Sequence, residues 1–240
     1  MSGETYDKEF YDLQLKGSLD SARLFLGYLF ARWVPRSVID IGCGRGTWLT
    51  ACKELGVKHL VGLDGPWVTQ DMMLDPAIDF RSANLAEDGA VTASYDLALS
   101  LEVAEHLPPE ASDQFVLTLA QASNAVLFSA AFVAQPGTNH INTRLHSFWA
   151  KKFLANGYQL FDIFRQEFWD NKKVRPWYRQ NTFLYVKPDH PLHRALIEDG
   201  HCSCKNVGFV DCIHPWLYFF VLDQLMKRSQ PDAQIVNPLE

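Results

Sequence analysis

Ser37-Val38-Ile39-Asp40-Ile41-Gly42-Cys43-Gly44-Arg45-Gly46-Thr47 is the stretch on which the reading of this chain turns. A short β-branched run ends at Asp40, glycines follow at 42, 44 and 46, and an apolar helical repeat runs from Thr47 to about Leu55. The pattern predicts a strand, a tight turn and a helix start. Glycine in such a turn accepts positive φ and leaves bare peptide for a ligand to lie on. The free N–H groups and positive end of the following helix favour a carboxylate or phosphate. A cofactor with a negative group is the first expectation.

Outward from this stretch, the spacing narrows the cofactor. A dinucleotide fingerprint has its third glycine three residues after the second; that position is Thr47, whereas Gly46 comes two after. An oxidoreductase on a nicotinamide or flavin dinucleotide is therefore disfavoured. Downstream, Leu60-Val61-Gly62-Leu63-Asp64-Gly65 reads as a second strand ending in an acid. A carboxylate there accepts hydrogen bonds from both hydroxyls of a ribose.

With these residues in place, the chain resembles the class I S-adenosylmethionine-dependent methyltransferases, in their bacterial small-molecule branch. Asp40-x-Gly42-x-Gly44-x-Gly46 is similar to their first motif, and Asp64 to their ribose-binding acid. Ser82-Ala83-Asn84-Leu85 is similar to the third-strand end that holds adenine, and Tyr95 through Leu107 to the fourth strand and its exit. The resemblance covers residues 6 to 187, with the motifs in the expected order. It implies S-adenosyl-L-methionine as cofactor, held by Asp40, Gly42, Cys43, Gly44, Gly46, Asp64, Gly65, Asn84, Leu85, Leu101 and Glu102. Glu102 is expected beside the cofactor's ammonium group. Asn84 stands where the family more often has Asp, and an amide both donates to and accepts from adenine. The implied fold is α/β: a Rossmann-like, doubly wound, seven-stranded sheet, mostly parallel with an antiparallel terminal strand, and helices on both faces.

Length and composition set the outer limits. At 240 residues and 48% hydrophobic content the chain can bury one good core, so decorations on one domain are expected: a helical cap over 1–35, a cofactor-binding core over 36–187 and a helical extension over 188–240. A net charge of −6 argues against a nucleic-acid partner held on a basic face. Lys151, Lys152, Lys172, Lys173, Arg175 and Arg179 read as solvated surface. Met1-Ser2-Gly3-Glu4 lacks the basic start and apolar run of a secretory leader, and Leu24–Phe30 is too short to span a bilayer. A cytoplasmic protein with reduced cysteines and no membrane partner is expected.

Along the chain, Tyr6–Leu15 and Ser18–Trp33 read as two leading helices, the second capped by Ser18 or Asp20 and ended by Pro35. The resemblance makes Tyr6 and Tyr11 lid residues, with Tyr11 against the substrate. Leu97–Leu101 carries no charge and suits a central strand buried on both faces. A helix from Pro108 to about Ala122, a strand Ala125–Ala131 and a helix Ser147–Asn156 are expected next. Trp177–Asn181 reads as the approach to a terminal strand, Phe183–Val186. His214-Pro215-Trp216 leads a last helix whose Trp216, Tyr218, Phe219 and Phe220 either cover the substrate mouth or make a homodimer contact.

Substrate chemistry is expected beyond the carboxyl ends of the strands. His106 and His140 are the two candidates for a general base, because a neutral imidazole accepts a hydroxyl proton near neutral pH. Glu105 is placed beside them, and the His-x-Asn…Trp pattern of His140, Asn142 and Trp149 resembles one in family members that modify sugars or secondary metabolites. No metal is expected: the CxC…CxH spacing of Cys202, Cys204, Cys212 and His214 departs from zinc arrangements. The expected activity is methyl transfer to a small molecule, on oxygen; a noncatalytic binding or scaffold protein of the same fold is the alternative.

Overall fold

A computed structural model describes residues 3–87, 91 and 93–229; the side chains of 3–14 and 228–229 lie outside the described part, and with them those of Tyr6 and Tyr11. Helix α1 (Gly3–Phe30) leads to strand β1 (Ser37–Ile41), the glycine turn and helix α2 (Thr47–Glu54). β1 pairs in parallel with β2 (His59–Asp64) on one side and β4 (Leu97–Leu101) on the other. β3 (Asp79–Ser82) borders β2, and β5 (Ala125–Ser129) borders β4. Beyond β5 lie β7 (Phe183–Val186) and then β6 (Gln159–Phe161), giving the order β3-β2-β1-β4-β5-β7-β6. β7 runs antiparallel to both its neighbours. This is the expected doubly wound sheet, and its strand order reverses between β1 and β4, which opens a crevice at their carboxyl ends.

Alternation along the strands divides the core in two. Val38, Leu97, Leu99, Ala125 and Leu127 face a layer formed with α1, α2, α5 (Phe164–Phe168) and α7 (Pro191–Glu198). Ile39, Ile41, Ala98, Val126 and Phe128 face α3 (Ser112–Ala122) and α4 (His146–Ala155). With both faces covered, every residue of β4 is buried, Ser100 included.

The leader is one helix, not two. Gly17 lies inside α1 because a Cβ there would stand 1.9 Å from the Arg175 Nε, so glycine serves close packing and not a break. Ser18 is not a cap: its hydroxyl meets the Thr47 Oγ1 at 3.0 Å and the Tyr178 hydroxyl at 3.1 Å, tying α1 to the start of α2 and to α6 (Pro176–Asn181). Phe25, fully buried, stacks on Phe164 and Phe168 at 4.8 and 4.7 Å between ring centres. Trp177–Asn181, read as the approach to the terminal strand, belong to a helix that has Pro176 in its first turn, where its missing N–H is unneeded. The last helix, α8, runs Pro215–Ser229 as expected. Among the described residues no helix is long and apolar enough to cross a membrane.

Candidate active site

The glycine turn and Asp64 build one end of the crevice. Gly42, Gly44 and Gly46 all adopt positive φ, but they face different surroundings. A Cβ on Gly42 would lie 2.3 Å from a Val103 methyl and one on Gly46 2.6 Å from Ile78, so both glycines serve packing. Gly44 faces open space, leaving its peptide bare toward the crevice. The Asp64 carboxylate, expected at this turn, reaches it: one oxygen accepts from the Gly44 N–H and the other from the Gly65 N–H, both at 2.7 Å. Gly65 in turn makes room for the Trp67 indole, 73% exposed, whose ring would lie 2.2 Å from a Cβ there. Gly42, Gly44, Asp64, Gly65, Trp67, Asn84, Leu85 and Glu102 line a cavity of about 830 Å³. Asn84 is itself engaged, donating to the Glu87 carboxylate at 2.7 Å and accepting from the Ala86 N–H.

A second cavity of about 470 Å³ shares Gly42, Gly44, Glu102 and His106 with the first, and adds Asp40, Cys43, Leu101, Glu105 and His140. Burial, with the Asp64 charge behind it, pushes the Asp40 carboxyl up to about 8. Burial also raises the Cys43 thiol, which makes it a poor nucleophile. Glu102 leaves β4 with φ +58, a left-handed conformation that costs a non-glycine residue about 1–2 kcal/mol. Two amides hold its side chain: Asn181 Nδ2 donates to both oxygens at 3.0 and 3.2 Å, and Gln135 Nε2 to one at 2.9 Å. Asn181 Nδ2 also donates to the Gln135 side-chain oxygen, Oε1, at 2.8 Å.

The 3₁₀ turn Ala104–His106 then brings Glu105 and His106 against the loop after β5. The Glu105 backbone carbonyl accepts from the N–H groups of Ile141 (2.9 Å) and Asn142 (3.0 Å), which sets the His140 ring 5.0 Å from that of His106. Burial and the neighbouring Glu102 hold the Glu105 carboxyl well above the usual carboxylate range. Partial desolvation in the crevice, and then His140, keep His106 below the usual imidazole range.

Two residues expected at the substrate do not reach the crevice. Asn142 is buried and acts as a clamp, donating to the Ala104 carbonyl and the Ser112 hydroxyl and accepting from Arg144 Nε. Trp149 is 1% exposed and packs on Phe128 and Phe148 in the core, because the register of α4 turns it toward the sheet. Gln135 and Asn181, the amide pair around Glu102, were not singled out from sequence; uncharged amides give no periodic or charge signal.

Behind Asn181 lies His146, its Nδ1 3.1 Å from the Val210 carbonyl and its Nε2 3.1 Å from Asn181 Oδ1. Two acceptors would suit an imidazolium, but burial and the Arg165 charge press His146 down to about 4, so the ring is neutral at pH 7. The unfolded chain takes up this proton below its ordinary value of 6.5 and the folded one does not until about 4. Stability is therefore full above pH 6.5 and falls as pH drops toward 4, by a total of about 3 kcal/mol from this group. Urea midpoints of the parent and His146→Gln, compared at pH 7 and pH 5, should show the shallower pH dependence in the variant; equal slopes would refute the assignment.

Residues 11–183 match a family model described as "Methyltransferase domain". The chain belongs to that family. The methyltransferase shares its fold with magnesium protoporphyrin IX methyltransferase (ChlM) from Synechocystis PCC 6803, solved with bound SAH: TM-score 0.51, 19% identity, 70% of this chain and 82% of that one. DesVI of Streptomyces venezuelae aligns with TM-score 0.54 at 13% identity over 78% of this chain and 99% of its own. A TehB-like SAM-dependent methyltransferase from Corynebacterium glutamicum gives 0.51 at 15% identity over 77% and 97%. Ribosomal protein L11 methyltransferase of Haemophilus influenzae is 40% identical over 67 residues, which are 28% of this methyltransferase and 20% of that protein.

The cofactor of the family is S-adenosylmethionine, and the residues present fit it. Gly44 offers uncovered peptide, Asp64 offers two carboxylate oxygens, and an exposed indole stands at the cavity's edge. Asp40 and Glu102 line the adjoining cavity, where their oxygens can accept hydrogen bonds from a ligand's N–H or O–H groups.

Proposed function

We propose that this methyltransferase methylates a hydroxyl of a small molecule of the sugar or secondary-metabolite class. The observation that carries this reading is the meeting of Glu105, His106 and His140 where the two cavities join, beside the glycine turn. Bound S-adenosylmethionine supplies a methyl group already activated by its sulfonium. The chain's task is to hold the acceptor oxygen in line with that methyl at about 3 Å, which offsets about 7–11 kcal/mol of the barrier. Gly42, Gly44, Asp64, Gly65 and the Asn84-Leu85 turn grip the nucleoside in this reading; Asp40, Cys43, Leu101 and Glu102 surround the amino-acid end.

Deprotonation of the acceptor falls to the His106–His140 pair. Partial desolvation in the crevice, which keeps His106 below its ordinary range, leaves it neutral at pH 7 and able to take up a proton. The two adjoining cavities, of about 470 and 830 Å³, have to hold cofactor and acceptor together, which with the net charge of −6 favours a small acceptor over nucleic acid. Incubating the purified protein with labelled S-adenosylmethionine and fractionated small molecules tests the proposal. The expected result is a low-mass product gaining one methylene. Label confined to protein, or no transfer with the cofactor bound, would refute it.

A further inference from the structure

We infer that Glu105, His106 and His140 form a binding site for one divalent first-row metal ion. The binding stands on the geometry of these side chains; its catalytic use rests on the hydroxyl-methylation reading above.

One ligand atom from each of the three lies within 4.8 Å of the others. Donors around a shared ion at bonds of about 2.1 Å stand about 3–3.5 Å apart, so a swing of about 1 Å by the cleft-facing imidazoles closes the set. Glu105 is the decisive member. It is 0% exposed, and neither carboxylate oxygen has a hydrogen-bond partner; the backbone N–H groups of Glu105 and Ala131 and the Glu102 carboxyl stand near without reaching bonding geometry. A buried carboxyl group without a hydrogen-bond partner is costly even when neutral, and native structures rarely leave one so. A cation between Glu105 and the two imidazoles supplies the missing partner.

The surroundings are built as they are for metal-bound histidines. His140 Nδ1 lies 3.3 Å from the Gln135 carbonyl oxygen, which can only accept, so Nδ1 carries the proton and Nε2 keeps its lone pair. Gly137 leaves room for the His140 ring: a Cβ there would lie 2.1 Å from its Cε1 and Nε2. The paired hydrogen bonds from Ile141 and Asn142 to the Glu105 carbonyl hold the loop in register with the turn. His106 is exposed to the crevice, leaving coordination positions open to an acceptor. Two imidazoles and one carboxylate suit the series from Mn²⁺ to Zn²⁺. The sequence gives no warning of this, since positions 105, 106 and 140 match no familiar ligand spacing.

With the ion bound, His106 and His140 serve the deprotonation as its ligands and not as bases in their own right: an acceptor oxygen on the ion loses its hydroxyl proton to water more readily. Its electron pair then forms the O–CH₃ bond as the S–CH₃ bond breaks, and that pair remains on sulfur. Acceptors with two adjacent oxygens would chelate the ion and be preferred.

Titration of the metal-free full chain with Mn²⁺, followed by loss of the free-ion electron paramagnetic resonance signal, tests the site. The expected result is one Mn²⁺ per chain, displaced by Zn²⁺, with binding lost in Glu105→Gln and weakened at least tenfold in His106→Gln and Gly137→Ala. His106 is exposed, and Gly137→Ala keeps every donor while displacing one, so a folding failure at Glu105 does not remove the test. No saturable binding of either ion, or binding unchanged in all three variants, would overturn the site. Methyl transfer that persists fully in chelator, with no metal bound, would overturn the metal and leave the methyltransferase reading standing. One bound ion with no methyl transfer to any small molecule would leave the site and overturn its catalytic use.

Discussion

Asp64→Ala is expected to weaken S-adenosylmethionine binding by roughly 100-fold, since two charge-assisted hydrogen bonds to ribose hydroxyls are worth about 1.5 kcal/mol or more each. The same substitution frees the Gly44 and Gly65 N–H groups that Asp64 now holds, so part of the loss reflects a looser turn. Gly44→Ala separates the two contributions. Its Cβ meets nothing within 4 Å in the folded chain and adds only the strain of φ +52, about 1–2 kcal/mol. It nevertheless projects into the space a ligand would fill. Isothermal titration alongside thermal unfolding should find a larger loss of affinity than of stability in both variants. Unchanged affinity in Asp64→Ala would remove the basis for placing the nucleoside at this turn.

His106→Ala should lower the rate of methyl transfer by about 10²–10⁴-fold, the usual worth of a group that handles a transferring proton. Because His106 is exposed, its removal should leave folding within about 0.5 kcal/mol of the parent. Cofactor affinity should also hold, since the loss belongs to the acceptor's proton. His140→Ala is expected to behave alike. Asn142→Ala, by contrast, should act on stability, by about 1–3 kcal/mol, because it strips a buried clamp and no substrate contact. Single-turnover rates and urea midpoints on the three variants distinguish these outcomes. Full activity in both histidine variants would rule out this proton path.

What could be read from the sequence was local. The glycine turn and Asp64 lie at strand ends, where a few adjacent residues decide backbone and charge together, and the chain folds them into contact as expected. Trp149 and Asn142 were misplaced because neighbourhood along the chain does not say which face a side chain takes: Trp149 points into the sheet while Phe148 beside it is only part-buried. β6 is three residues long, too short for an alternation to register. The leading segment divided into Tyr6–Leu15 and Ser18–Trp33 is one helix, and the guanidinium packed on Gly17 between them comes from residue 175, far along the chain. The amides of Gln135 and Asn181 matter only through Glu102, whose left-handed backbone no pattern announces.

The two cavities share Gly42, Gly44, Glu102 and His106, but each has exposed lining residues of its own: Pro66 and Trp67 on one, Gly137 and Thr138 on the other. Neither occupant therefore blocks the other's door. The spent nucleoside and the finished product should depart in either order, so that S-adenosylhomocysteine competes with its parent cofactor and the methylated product competes with the acceptor. A strictly ordered pattern of product inhibition would mean that one exit is shut while the other is in use.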